Sequence, residues 1–184
     1  MENKYNRFNL KILNSMEEIE KTLLGNSFSK VEVEKLSESY YTENNYNLNE
    51  TKFLKDLDEY FILRKNENDL TELLLYTHGD FTGKYRGDFS IERLNQSGKK
   101  YKEIFSVNKE VTKYTKDDIS FNIINVENLG IFFEYISEEE INIDFVYELL
   151  NNLNINYNEA EKKYAEIKFQ QIKKGDWFFT WRVF

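Results

Sequence analysis

The stretch Asn125-Val126-Glu127-Asn128-Leu129-Gly130-Ile131-Phe132-Phe133-Glu134 carries the end of one extended segment, Ile119–Val126, into another, Ile131–Ile136. Working outward, Phe105–Tyr114 and Ile119–Val126 read as a hairpin around Lys116-Asp117-Asp118, residues that favour turns. Glu59–Arg64 and Thr71–Thr77 read as a second hairpin around Asn66-Glu67-Asn68-Asp69. Residues 6–13 alternate, with Phe8, Leu10 and Ile12 on one side and Arg7, Asn9 and Lys11 on the other, the period of a strand. Ser15 and Glu18 have capping-box spacing, and Ile19, Leu23 and Leu24 then predict a short helix ending near Gly25. Val31–Tyr41 is a further strand and residues 42–50 a polar loop. Gly79–Gly83 is also expected to be a loop, followed by a strand and a short helix within Arg86–Leu94.

After Ile136 the period changes. Phe145, Leu149, Leu150 and Leu153 lie at helical spacing, and Glu159–Phe169 predicts a second helix. The tail from Asp176 to Phe184 is strongly aromatic. Trp177 and Trp181 in it read as an extra strand, a plug or a dimer contact, with packing the plainer role.

Composition removes several function classes. The 184 residues fit one domain, taken as 1–184 with an aromatic extension at about 170–184. The charge is −8, from 25 basic and 33 acidic residues. That argues against a non-specific nucleic-acid binder, which needs a basic face. There is no cysteine and one histidine, His78, so thiolate chemistry and multi-histidine metal sites are excluded. No apolar run approaches a membrane span, and the start of the sequence lacks a signal-peptide pattern, so a cytoplasmic protein is expected. Proline is absent and asparagine frequent, as an AT-rich genome would give; a low-GC bacterium or one of its phages fits.

Basic residues recur on the strands. Lys11 lies on the first, Arg64 closes Tyr60–Arg64, Arg86 opens a strand, and Lys109 sits in Ser106–Val111. Each is read as lying opposite the apolar residues of its strand. A small barrel would collect them in its lumen, where cations in a low dielectric hold a polyanion strongly. Solvated strand faces are the alternative. Removing Lys11 or Arg64 from such a like-charged lumen should leave the melting temperature unchanged or higher.

Order and spacing resemble the CYTH superfamily, the triphosphate tunnel metalloenzymes, which include class IV adenylyl cyclases and thiamine triphosphatases. Asn125–Glu134 is similar to the family's V-x-x-L-G-x-F-x-E. Glu161-Lys162-Lys163-Tyr164 resembles E-K-S-Y, and Glu38-Ser39-Tyr40-Tyr41-Thr42 resembles D-x-Y-F/Y-D/N. Tyr60–Arg64 and Leu73–Gly79 sit where the family has its L-R-x-R strand and its strand ending in Lys-Gly. The resemblance spans about residues 6–168. It implies an α+β fold: an antiparallel, closed or nearly closed β-barrel with flanking helices. The expected phosphate-binding residues are Lys11, Arg64, Arg86 and Lys109 from the strand pattern, of which Lys11 and Arg64 also match family positions, together with Lys162 of the E-K-S-Y match and Arg7, whose charge falls where the family holds its metal.

The departures fall on the metal side. Arg7 and Asn9 stand in place of the two carboxylates of E-x-E-x-K, Ile124 in place of an acid, and Ile136 in place of a strand glutamate. Ile62 replaces one arginine and His78 a lysine. Glu134 is retained and is the one weak candidate metal ligand; a Mg²⁺-type ion needs more hard oxygens than that. No cofactor is expected, beyond weak Mg²⁺ or Mn²⁺ binding. The expected function is binding of a phosphorylated nucleotide or polyphosphate without the usual metal-dependent catalysis, sequestering a nucleotide signal. One alternative is a diverged triphosphatase, cyclase or metal-independent phosphodiesterase or lyase, with His78 and Glu134 as candidate catalytic residues. Another is a protein-interaction module on the same scaffold, and a homodimer is compatible with any of these.

Overall fold

The structure, a computed structural model, describes residues 6–43, 51, 53–68, 70–78, 80–96, 98–137, 139–161 and 163–180. The elements are β1 (Asn6–Ile12), α1 (Met16–Gly25), β2 (Ser29–Glu43), a 3₁₀ turn (Leu54–Asp56), β3 (Glu59–Asn66), β4 (Thr71–Thr77), β5 (Asp80–Gly87), α2 (Ile91–Asn95), β6 (Tyr101–Lys116), β7 (Ile119–Val126), β8 (Gly130–Ser137), α3 (Ile143–Asn152), β9 (Tyr157–Glu161) and α4 (Tyr164–Thr180). The fold is α+β, with one sheet in the order β5-β4-β3-β2-β6-β7-β8-β1-β9. Among the described residues no ladder joins β5 to β9. Among them, therefore, hydrogen bonds do not close the sheet. No helix among the described residues is long and apolar enough to cross a membrane.

The chain forms two compact units. The first comprises described residues up to 35 and from 109 to 164. Its core is one face of the sheet: Phe8, Leu10 and Ile12 of β1, Phe121 and Ile123 of β7, and Phe133 of β8, covered by Ile19 and Leu23 of α1 and Val146 and Leu150 of α3. The capping box of α1 forms as expected: Ser15 Oγ accepts from the Glu18 amide at 3.3 Å, and Glu18 accepts from the Ser15 amide at 2.8 Å. Leu24, read as part of the apolar stripe, is exposed. Ile19 and Leu23 are one i, i+4 pair, and Leu24 points about 100° away from Leu23. Between β7 and β8, Asn128 and Gly130 both take positive φ, 62° and 98°, so the glycine after Leu129 serves backbone geometry.

The helix expected from Glu159 is corrected here. Residues 157–161 form β9, which pairs with β1 through Leu10↔Glu161 and Ile12↔Tyr157, and α4 starts at Tyr164. The residues after 158 are good helix formers, but local propensity yields to the ladder that the outer edge of β1 offers.

The second unit comprises residues 36–108 and described residues from 165 on. Tyr41, Phe61, Leu63 and Leu73 form a cluster with Phe89, Ile91 and Leu94 packed against it. The other face of β3 is buried too, with Tyr60 and Ile62 under 10% exposed. Residues 80–83, expected as loop, belong to β5. The register shifts between Leu75 and Tyr76, opposing Leu75 to Gly83 and Tyr76 to Phe81, and this irregularity breaks the period-two pattern. A Cβ on Gly83 would lie 3.2 Å from the Tyr85 ring, so that glycine makes room for its neighbour's side chain. From α4, Glu166 accepts from the amides of Leu54 and Lys55 at 3.0 and 3.2 Å, Phe169 is buried, and Lys173 donates to the Thr51 carbonyl. Trp177 lies within α4, so residues up to 180 are helical rather than an extra strand; Trp181 lies outside the described residues.

Candidate functional site

In the second unit, register assembles a charged row across four strands. Glu38 of β2 lies opposite Arg64 of β3, Arg64 opposite Glu72 of β4, and Glu72 opposite Arg86 of β5. Directly opposed residues share a face of the sheet, so the row alternates in sign on one face. Glu38 is completely buried. Its Oε1 accepts from Arg64 Nε at 2.8 Å and lies 2.7 Å from Nη2, and its Oε2 accepts from the Tyr40 hydroxyl at 3.1 Å.

Three cations converge on Glu72. Lys84 Nζ lies at 2.8 Å, Arg86 Nε at 2.9 Å and Arg64 Nη1 at 3.5 Å. Burial alone would raise the Glu72 carboxyl, but hydrogen bonds from Lys84 and Arg86, with the charges of Lys84 and Arg64, hold it below its ordinary value. Five charges, three positive and two negative, share this face. The lysine was not singled out from sequence because it follows a segment read as loop.

These positions correct two expectations. Arg86 closes β5 rather than opening a strand. Arg64 shares its face with Tyr60 and Ile62, because β3 is apolar on both sides. His78 follows β4 at φ 50°, with its amide donating to the Asp58 carbonyl at 3.0 Å. Its ring is exposed, with Nδ1 3.7 Å from an Asp58 carboxylate oxygen.

The first unit has a face of its own opposite its core. Asn9 of β1 lies directly across from Glu134 of β8, and Lys11 across from Phe132. Asn122 of β7 donates to Glu134 Oε2 at 3.1 Å, and Arg7 Nη1 lies 3.6 Å from Oε1. Lys109 donates to the Tyr164 hydroxyl at 2.6 Å and lies 4.8 Å from that ring's centre. It does not lie opposite its strand's apolar residues: Phe105, Val107 and Lys109 alternate onto one side and are all buried. A cavity of about 360 Å³ in this unit is lined by Glu32, Glu34, Lys113, Ser120, Asn122 and Ile136, among others. Lys162 lies outside the described residues.

The donor set at Glu134 fits a divalent ion poorly. One oxygen already accepts from an amide, the other faces a guanidinium, and the opposed position holds Asn9. Among the described residues, no three His, Asp or Glu side chains converge where they could hold a metal ion.

No family model matches the chain, and no curated protein matches it in sequence. Solved structures do match in fold. A protein from Pyrococcus horikoshii OT3 superposes with a TM-score of 0.64 at 16% identity, covering 90% of this chain and 99% of that one. A candidate adenylate cyclase from Vibrio parahaemolyticus gives 0.62 at 9% identity, covering 91% and 97%. A candidate adenylyl cyclase from Hippeastrum, described as having a dominant triphosphatase activity, gives 0.63 at 10% identity, covering 85% and 91%. The chain thus has the CYTH-like fold that its motifs resemble.

Proposed function

We propose that the chain binds a phosphorylated nucleotide or polyphosphate through cations on its strands, without the usual metal-dependent catalysis. The observation that carries this reading is the convergence of Lys84, Arg86 and Arg64 on the single carboxylate of Glu72. A carboxylate shared by three cations occupies the kind of place a phosphate takes. A polyphosphate offers more charge and more acceptor oxygens, and arginine forks match its geometry. Arg7, Lys11 and Lys109 of the first unit, and Lys162, are further candidate phosphate contacts. Glu134, its oxygens already engaged, supports at most weak Mg²⁺ or Mn²⁺ binding completed by ligand oxygens. Sequestering a nucleotide signal in the cytoplasm is the role this chemistry suits.

The test is calorimetric titration with tripolyphosphate and with ATP, each with and without Mg²⁺. Lys84→Ala and Arg86→Ala should each weaken tripolyphosphate binding by roughly tenfold to a hundredfold, the value of a charge-assisted hydrogen bond. Unchanged affinity in both variants would remove the site from this face.

A second reading, a diverged triphosphatase or cyclase, draws support from the retained Glu134 and from the activity described for the Hippeastrum protein of the same fold. Phosphate or cyclic-nucleotide release with Mn²⁺, abolished by Glu134→Gln, would favour it.

A further inference from the structure

Five aromatic rings form a file across five neighbouring strands of the second unit. Phe105 of β6 stacks on Tyr40 of β2 with centres 4.3 Å apart and planes 24° apart. Tyr40 leads to Tyr60 of β3 at 6.5 Å and 22°, and Tyr60 stacks on Tyr76 of β4 at 4.7 Å and 4°. The file then turns. Phe81 of β5 meets Tyr76 edge-on, at 5.6 Å and 67°. Tyr40 and Tyr60 are buried, Tyr76 is half-buried, and Phe81 is 52% exposed.

Packing accounts for the buried rings. It does not account for a phenylalanine left half in water at the end of the file, on a strand whose outer edge carries no partner among the described residues. The file also shares its face with the charged row. Tyr60, Ile62 and Arg64 alternate onto one side of β3, and Tyr76, Leu74 and Glu72 onto the same side of β4. On β5 Phe81 precedes Lys84 by three residues and Arg86 by five, about 10 and 16 Å at roughly 3.3 Å per residue. An extended nucleoside polyphosphate bridges a gap of that order.

We infer that Phe81, backed by Tyr76, is a stacking subsite for the planar ring of a nucleobase whose phosphates lie at Lys84 and Arg86. A ring face is sequence-tolerant, since every base has a π-face, so the subsite selects a nucleotide over a bare polyphosphate rather than one base over another. This inference rests on the phosphate reading and names the ligand class for the same face.

The experiment compares adenosine, tripolyphosphate and ATP as probes of the full chain, with Phe81→Leu and Phe81→Trp. ATP should bind the unaltered protein about fivefold to a hundredfold more tightly than tripolyphosphate, the range of base–aromatic stacking. Phe81→Leu should abolish that advantage and leave tripolyphosphate affinity unchanged, while Phe81→Trp should keep or enlarge it. Equal affinities for ATP and tripolyphosphate, or an advantage that survives Phe81→Leu, would overturn the subsite. Failure of the phosphate site reads differently. Tripolyphosphate would then not bind, while adenosine would still show saturation transfer that Phe81→Leu removes. Absence of adenosine transfer together with absence of ATP binding overturns the subsite as well.

Discussion

Arg64 holds Glu38 through two guanidinium nitrogens, Nε at 2.8 Å and Nη2 at 2.7 Å from one oxygen of a carboxylate with no exposed surface. Removing one partner of a buried ion pair strands the other charge, at a cost of about 3–5 kcal/mol. Arg64→Ala should therefore lower the melting temperature and the urea midpoint markedly. This reverses the expectation from sequence, which placed Arg64 among like charges. The paired change Glu38→Leu with Arg64→Leu should recover most of the loss, because it removes both buried charges together. Urea unfolding of Arg64→Ala and of the double variant checks it; a double variant as unstable as Arg64→Ala would show that the pair is not what matters.

Much of the fold was legible because local signals were strong. The alternation of Phe8, Leu10 and Ile12, the Ser15/Glu18 box and the hairpin at Asp117 each act within a few residues. What escaped was set by register. Gly83 and a shifted pairing hid β5, and with it Lys84. The strand Tyr157–Glu161 exists because β1 offers an edge, which local propensity does not encode. The compensation of Arg64 by Glu38 and of Arg86 by Glu72 is also a register property: these residues are 26 and 14 positions apart in sequence. Counting cations along strands therefore overstated the positive character of this face.

The acid side of the stability profile should carry the mark of Glu72. Its carboxyl titrates below the ordinary value of 4.5 in the folded chain, so the folded state binds that proton less readily than the unfolded state. Its contribution is then complete above about pH 4.5 and is lost as pH falls through the lower folded value. Thermal melts taken from about pH 5 down to about pH 3 should fall more steeply for the unaltered protein than for Glu72→Gln. Parallel curves would show that Glu72 makes no differential contribution.

The same carboxylate should compete with ligand. Glu72→Gln removes the negative charge that Lys84, Arg86 and Arg64 share, leaving those cations to an incoming phosphate. Tripolyphosphate affinity should rise by roughly tenfold, about 1.4 kcal/mol, with a steeper salt dependence because more positive charge is exposed to the ligand. Calorimetry at two ionic strengths measures both. A variant that binds more weakly would mean that Glu72 positions the cations rather than competing for them.

The first unit offers a test by restoration. Asn9 lies directly across from Glu134, and Arg7, two residues before Asn9, alternates onto the same side of β1, its guanidinium 3.6 Å from Glu134. Carboxylates at both positions would join Glu134 on one face and replace a repelling cation with hard oxygen donors of the kind Mg²⁺ and Mn²⁺ require. The double change Arg7→Glu with Asn9→Glu should therefore create Mn²⁺ binding that the unaltered chain has only weakly. Electron paramagnetic resonance of free Mn²⁺ reports it directly, as a fall in the free-ion signal at protein concentrations where the unaltered chain leaves that signal unchanged. Glu134→Gln added to the double variant should bring the signal back, since the third carboxylate is then gone. Tight Mn²⁺ binding by the unaltered chain would show that Arg7 and the Asn122 amide do not block Glu134, and metal-dependent chemistry would become the better reading of this face.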